Sequence, residues 1–584
     1  MKRAPELFAA IALAAAGTLA TPAAQAPPST FRFEIDIAQE LFPKDVVPRS
    51  LDGRLLLIVS NDGSQEPRFQ VGRGLTSQLL FGIDVEGLKP EPSSSFVMQQ
   101  REVYDSFGRR SVIPVRTYME RAAQPVIIDA STRGWPLESI TQIPAGDYTV
   151  QAVLNVYTTF TRADGHTIKA HMDQWEGQKW NRSPGNLYSV PTRVHIDPTI
   201  ASPVRITLNK QIPSIEPPPD TQYVKHIKFR SEILSKWWGR DINLGAIVVL
   251  PEGFDAHPEA RYPVAYNQGH FPTTFQLNGQ FLEDWKAGKQ GRFILVLMQH
   301  PTPFYDDSYA VNSANNGPYG DALTQELIPR IEKEFRAIAQ PWARFVYGGS
   351  TGGWESLAWQ VFYPDMFNGT WTFCPDPVDF RYFQMVNIYQ DKNAFYPNSA
   401  WKTEAVRPWQ RTPDDQVLMS EKDASHLEEV LGTRGRSGDQ MDIFNATFGP
   451  VGDEGYPRLL YDKWTGVIDP SVAQYWKEHY DLSAIVQRDW KTLGPKLQGK
   501  LHLYVGEMDS YYLEEAAFLL KDFLDKTTDP PANATWDIGE RAPHCYAGKP
   551  EFPGQRAEQR ILPQMIDRML KTAPAGADLK SWRY

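Results

Sequence analysis

A chain of 584 residues is too long for one hydrophobic core, so two or more domains are expected. With 41% hydrophobic and 22% charged side chains, the composition is that of a globular protein and excludes a disordered one. The net charge is −10 and no long Lys/Arg run occurs, which argues against nucleic acid as a partner.

The first residues read as an address. Met1-Lys2-Arg3 gives a positive start, Leu7 to Ala20 is an apolar Ala/Leu-rich run, and Ala24-Gln25-Ala26 has the small-x-small pattern of a cleavage site. Residues 1–26 are therefore expected to be a signal peptide and the mature protein periplasmic or secreted. Pro27 makes a cut after Ala23 or Ala24 an alternative. An uncleaved anchor is the other reading, although the run falls short of the roughly 20 residues a membrane span needs. No later segment is long and apolar enough to span, so no stable membrane insertion is expected after cleavage.

Residues 27–210 read as short strands between turn residues, among them Phe31 to Ile37, Leu55 to Val59, Leu79 to Val85, Val126 to Ile128 and Tyr148 to Tyr157. The expectation is an N-terminal β-sandwich. Pro217-Pro218-Pro219 then marks a stiff, Pro-rich linker over 211–221. From 222 to 584 strands alternate with helical runs, which predicts an α/β domain with a mostly parallel sheet. Its strand candidates are Ile242 to Leu250, Val264 to Gln268, Phe293 to Met298, Phe345 to Gly348, Gly369 to Phe373, Leu501 to Val505 and Ala534 to Ile538. Helices are expected at Asp321 to Phe335, Glu514 to Leu524 and Arg556 to Leu570. The aromatic-rich interval 381–497 breaks the rhythm and reads as a large lid insertion.

Gly348-Gly349-Ser350-Thr351-Gly352 fits G-x-S-x-G between an apolar strand and a helical run. That context bends the chain sharply, exposes the serine hydroxyl and aims a helix N-terminus at developing negative charge. A Gly-rich turn without chemistry is the bland reading. A serine nucleophile needs a base, and the base needs an orienting acid; in such a fold the chain order is Ser, acid, His. Asp509, just past the strand Leu501 to Val505, suits the acid, with Glu507 as rival and a helix-capping role for Asp509 as the alternative. His544 is the one histidine after Asp509 and becomes the base. Backbone N–H groups of Thr351 and Phe271 are the expected oxyanion donors. His270, His300 and Asp376 are candidate substrate contacts because strand C-terminal ends face the active site in such sheets, and Asp379 shares that argument. Cys374 and Cys545, the two cysteines, fall near the same rim, so a disulfide between them is expected, with two free thiols as the alternative. The sequence carries no metal or phosphate-loop motif, and the inferred chemistry requires no cofactor.

The segments Ser231 to Gly253, Tyr262 to Phe271, Phe345 to Gly353 and Leu501 to Asp509, with the His544 loop, resemble the Putative esterase family of the α/β-hydrolase fold. That family is similar to esterase D, feruloyl and acetyl-xylan esterases, and enterochelin esterases, the last with an N-terminal β-sandwich. The resemblance spans roughly residues 222 to 574 and implies a serine esterase. Two departures stand out: the usual His-Gly of the oxyanion loop is Gly269-His270 here, which leaves the second oxyanion donor open, and the insertion is longer than in minimal members. The expected function is an exported esterase acting on a small-molecule or carbohydrate-linked ester, or an aromatic one. A serine peptidase and a non-catalytic binding protein on the same scaffold are the alternatives.

Overall fold

The computed structural model describes residues 31–42, 50–88, 93–104, 110–121, 125–172, 179–402 and 405–584. The expected signal peptide lies outside them. Among the described residues no helix is long and apolar enough to cross a membrane.

The N-terminal region is built on two sheets. In the larger, Gly146–Thr161 and Leu51–Ser60 lie side by side at the centre and Leu79–Leu88 follows. In the smaller, Phe33–Ile37 is flanked by Val204–Leu208 in parallel and Val126–Ile128 antiparallel. The sequence of Leu51–Ser60 explains its central place. Its Leu55-Leu56-Leu57-Ile58-Val59 run is apolar on both faces, so neither can be left in water. Leu55, Leu57 and Val59 pack with Phe33, Ile35, Ile206 and Leu208 of the smaller sheet. Leu56 and Ile58 face the other way and pack against Trp409, Met419, Leu427 and Val430 from the interval 381–497. Each fully buried Leu or Ile contributes about 1.5–3 kcal/mol of transfer free energy, so the second face is a firm joint. Polar bonds reinforce it: the Arg54 guanidinium donates to Val430 O at 2.9 Å and pairs with Asp84 at 3.1 Å, which also holds Arg436 at 3.0 Å. A hairpin of Ser93–Tyr104 and Arg110–Arg121 forms a separate two-stranded ribbon. Residues 212–221, with the triple proline, form neither helix nor strand.

The second region carries one eight-stranded sheet: β1 (Val224–Arg230), β2 (Asn243–Val249), β3 (Val264–Gln268), β4 (Ile294–Gln299), β5 (Arg344–Gly349), β6 (Thr370–Phe373), β7 (Leu501–Gly506) and β8 (Thr535–Gly539). The spatial order is β1-β2-β4-β3-β5-β6-β7-β8, with β2 antiparallel to both neighbours and the rest parallel. This is the α/β-hydrolase arrangement. Helices Ile328–Glu334, Thr351–Phe362, Glu514–Leu524 and Ala557–Thr572 bury Ile331, Trp359, Leu520 and Met565 in one core with the strands. The interval 381–497 leaves the sheet after β6 and returns at β7. It contains the hairpin Pro408–Arg411/Val417–Ser420 and helices Glu421–Leu431, Gln440–Phe448, Pro470–His479, Leu482–Arg488 and Trp490–Leu497. Its Glu421–Leu431 helix lies on the N-terminal sheet, while Phe444, Phe448 and Trp476 join the hydrolase core.

Candidate active site

β5 ends in the G-x-S-x-G turn, and the helix Thr351–Phe362 starts at once. Ser350 is forced to φ 58°, ψ −124°, a conformation an L-residue adopts only under constraint. The glycines are spatial requirements. A Cβ on Gly348 would meet Gly352 O at 2.4 Å, and one on Gly352 would meet Gln268 O at 2.0 Å. The helix therefore seats directly on the end of β3, beside the loop that continues through Gly269, His270 and Phe271.

Ser350 Oγ donates to His544 Nε2 at 2.8 Å, and His544 Nδ1–H donates to Asp509 Oδ2 at 2.7 Å. Three stretches far apart in sequence thus converge in hydrogen-bonding order. Asp509 is fully buried, whereas its rival Glu507 is exposed. Asp509 does not cap the following helix, Glu514–Leu524, whose N-cap is Leu513; its Oδ1 instead accepts from Tyr511 N–H at 2.9 Å and steadies the turn, while Oδ2 holds the histidine. The loops carrying Asp509 and His544 are tied main chain to main chain, since Glu507 N–H donates to Gly539 O and Met508 N–H to Ala542 O, each at 3.0 Å. The Tyr511 ring stands edge-on to His544, with centroids 4.9 Å apart. Burial alone would depress the imidazole pKa, but the hydrogen bonds with Asp509 and Cys545 outweigh it and lift the pKa above the ordinary histidine value.

Asp376 sits beside Ser350, its Oδ1 at 3.5 Å from Ser350 Oγ, as a residue at the end of β6 should. Tyr309 OH and Thr351 Oγ1 donate to its Oδ2 at 2.5 and 3.0 Å. Burial raises its pKa, and these donors oppose the rise. His270 reaches the same cavity. Its Nδ1 bonds Asp306 at 3.0 Å, and Lys179 pairs with the other carboxylate oxygen at 2.8 Å. Burial lowers the His270 pKa, yet Asp306 lifts it to about 9. Phe271 lines the cavity as well.

Three expectations need correction. His300 is not a substrate contact: it is 1% exposed, bonded through Nδ1 to Ser308 Oγ at 2.9 Å, and covered by the segment 301–309, which folds back over the end of β4. Asp379 is likewise buried, capping the turn Phe380–Tyr382 and pairing with Arg381. The Cys374–Cys545 disulfide is absent and both cysteines are free. The two thiols are neighbours, each offering its sulfur within 4.8 Å of the other and of a His544 ring nitrogen, but they meet as hydrogen-bonded thiols, not at the roughly 2.0 Å of an S–S bond. Purified and denatured without reductant, the protein is expected to titrate two thiols with a chromogenic disulfide reagent; a count of zero would contradict the free pair.

The cavity around Ser350 and His544 measures about 570 Å³, within the usual range for small-molecule sites. Much of its wall was not legible from motifs. Arg73, Lys179 and Arg182 come from the N-terminal region; Trp409, Asp439, Gln440 and Phe444 come from the interval 381–497. Arg73 pairs with Asp439 and lies over the Trp409 ring at 4.4 Å, so the two regions meet at the cavity rim. From the same interval, Arg411 Nε donates to Asp509 O at 3.0 Å and braces the Asp509 loop.

Residues 236–447 match the model of the family described as Putative esterase. The chain is a carboxylic ester hydrolase. The match takes in β2 to β6 and the Ser350 turn of this esterase; Asp509 and His544 lie beyond it. No protein of curated function matches the esterase. Among solved structures it is similar to a ferulic acid esterase at 13% identity, over 59% of this chain and 99% of the other, with a TM-score of 0.34. It is also similar to an S-formylglutathione hydrolase from Agrobacterium tumefaciens at 12% identity, over 60% and 97%, with a TM-score of 0.32. A ferulic acid esterase from Anaeromyces mucronatus is similar at 14% identity, over 56% and 85%, with a TM-score of 0.25.

Proposed function

We propose that the protein is an exported serine esterase that cleaves a carboxylic ester through an acyl-enzyme formed on Ser350. The observation that carries this reading is the unbroken relay of 2.8 Å from Ser350 Oγ to His544 Nε2 and 2.7 Å from His544 Nδ1 to Asp509 Oδ2. In acylation Ser350 Oγ attacks the ester carbonyl while His544 Nε2 takes its proton. Asp509 holds the imidazole in the tautomer that leaves Nε2 free to accept and stabilises the imidazolium that forms. Main-chain N–H groups of Thr351 and Phe271 receive the oxyanion. The imidazolium returns the proton to the departing alkoxide, and water then repeats the sequence on the acyl-serine. His270 and Asp376 flank the bound ester as polar contacts.

The substrate is a small-molecule ester carrying an aromatic or carbohydrate group. The walls Phe271, Tyr305, Trp409, Phe444 and Tyr511 suit a flat ring or a sugar face, and a cavity of about 570 Å³ accommodates more than an acetyl group. In domain terms we read 1–26 as a signal peptide directing the chain to the periplasm or beyond, 27–210 as a β-sandwich, 211–221 as a linker and 222–584 as the hydrolase domain with 381–497 as its lid. The sandwich then helps to wall the substrate site through Arg73, Lys179 and Arg182. Hydrolysis of p-nitrophenyl acetate, of hydroxycinnamic acid methyl esters and of acetylated sugars, compared at equal concentration, tests the reading. The aromatic or sugar esters should be preferred by kcat/KM, and failure to turn over any ester at all would refute it.

A further inference from the structure

Behind the oxyanion loop, and outside the substrate cavity, lies a second cluster of potential ligands. His300 follows β4, Asp307 belongs to the segment that folds back over it, and Glu355 is on the helix Thr351–Phe362. One ring nitrogen of His300 and one carboxylate oxygen each of Asp307 and Glu355 lie within 4.8 Å of one another. All three residues are at most 1% exposed. Their hydrogen bonds account for only part of their polar surface: Ser308 occupies His300 Nδ1, and Tyr309 N–H donates to Asp307 Oδ1 at 2.7 Å. His300 Nε2 has no hydrogen-bond partner among the described residues, the Glu355 carboxyl faces that of Asp307 at hydrogen-bonding range with Gly269 N–H beside it, and no described Lys or Arg forms an ion pair with either carboxylate. Leaving a buried polar atom unpaired costs about 1–3 kcal/mol, and an unpaired charge costs more.

A proton shared between the two carboxyls would relieve that pair but leave the imidazole nitrogen unsatisfied. A divalent cation would satisfy all three residues at once. We propose that His300, Asp307 and Glu355 form a buried structural metal site for Zn²⁺, in which the cation replaces the proton that the facing Asp307 and Glu355 carboxyls would otherwise share. One imidazole and two carboxylates suit zinc, whose ligand bonds of about 2.0–2.2 Å in tetrahedral geometry place ligand atoms roughly 3.5 Å apart, so the cluster needs only a slight contraction. Calcium, which takes six to eight oxygen ligands, fits this set poorly. The ion fastens the end of β4, the 301–309 segment and the nucleophile helix to one point. That segment also supplies Tyr305 and Asp306 to the cavity and Tyr309 to Asp376. The proposal stands apart from the esterase reading and is read out without activity.

The test uses the full chain in a Cys374→Ser/Cys545→Ala background, so that the thiols beside His544 cannot hold the metal. Purified without chelator, it should contain about one zinc per chain by elemental analysis. Stripping with a chelator should lower Tm by roughly 5–10 °C, and ZnSO4 alone should restore it. Glu355→Gln and His300→Ala should each retain less than about a tenth of an equivalent; if the first fails to fold, the second, which leaves the carboxylate pair intact, gives the same reading. A protein that carries no zinc and gains no thermal stability from added ZnSO4, or a folded variant that keeps its zinc, overturns the proposal in favour of a shared proton.

Discussion

Ser350→Ala is expected to lower kcat/KM for an activated ester such as p-nitrophenyl acetate by on the order of 10⁵ to 10⁶-fold. The size of the loss follows from the hydroxyl's place at the head of a relay. Without Oγ there is no nucleophile for His544 to activate, and only positioning and oxyanion stabilisation remain. Folding should be unaffected, because Ala adopts the same strained φ of 58° at the same cost as Ser. Thermal unfolding of wild type and variant checks this, and an inactive variant with an unchanged Tm excludes collapse as the cause.

Asp509→Asn should reduce kcat by about 10⁴-fold while leaving KM nearly unchanged. The carboxylate accepts at 2.7 Å from His544 Nδ1–H. An amide in its place can present N–H to the ring, turning the imidazole into the tautomer whose Nε2 carries hydrogen and cannot accept the serine proton. The substitution also moves the pH profile. Catalysis needs neutral His544, so activity rises as the imidazole loses its proton. Asp509 raises that pKa, and the acid limb of the wild-type profile should therefore lie above the ordinary histidine value of about 6.5. In Asp509→Asn the residual activity should show this limb at lower pH. An unmoved limb would mean that Asp509 does not set the histidine's charge.

The parts of the site that could be read from sequence were those fixed locally. The Ser350 turn announces itself because three constraints coincide within ten residues: an apolar strand, glycines where the helix meets β3, and a helical run. Asp509 and His544 follow from chain order, but the choice between Asp509 and Glu507 depends on which carboxyl the loop buries. Strand-end logic puts Asp376 beside Ser350, as the structure has it, but misplaces His300, because nothing in the sequence of 301–309 signals that this segment returns over β4. The basic groups Arg73, Lys179 and Arg182 were invisible for a deeper reason. They reach the cavity through packing of the N-terminal sheet on the interval 381–497, a contact between stretches more than 300 residues apart. The Leu55–Val59 run held a trace of it, since a strand apolar on both faces requires a covering partner on each. The chain alone did not say that the partner would be the Glu421–Leu431 helix.

Labelling with a fluorophosphonate, followed by peptide mass spectrometry, puts the convergence of residues 350, 509 and 544 to the most direct test. The account predicts a single phosphonyl adduct per chain, located on Ser350, formed within minutes by the wild type and lost in His544→Ala. An unmodified protein, or an adduct on another residue that forms equally fast without the His544 imidazole, would contradict it.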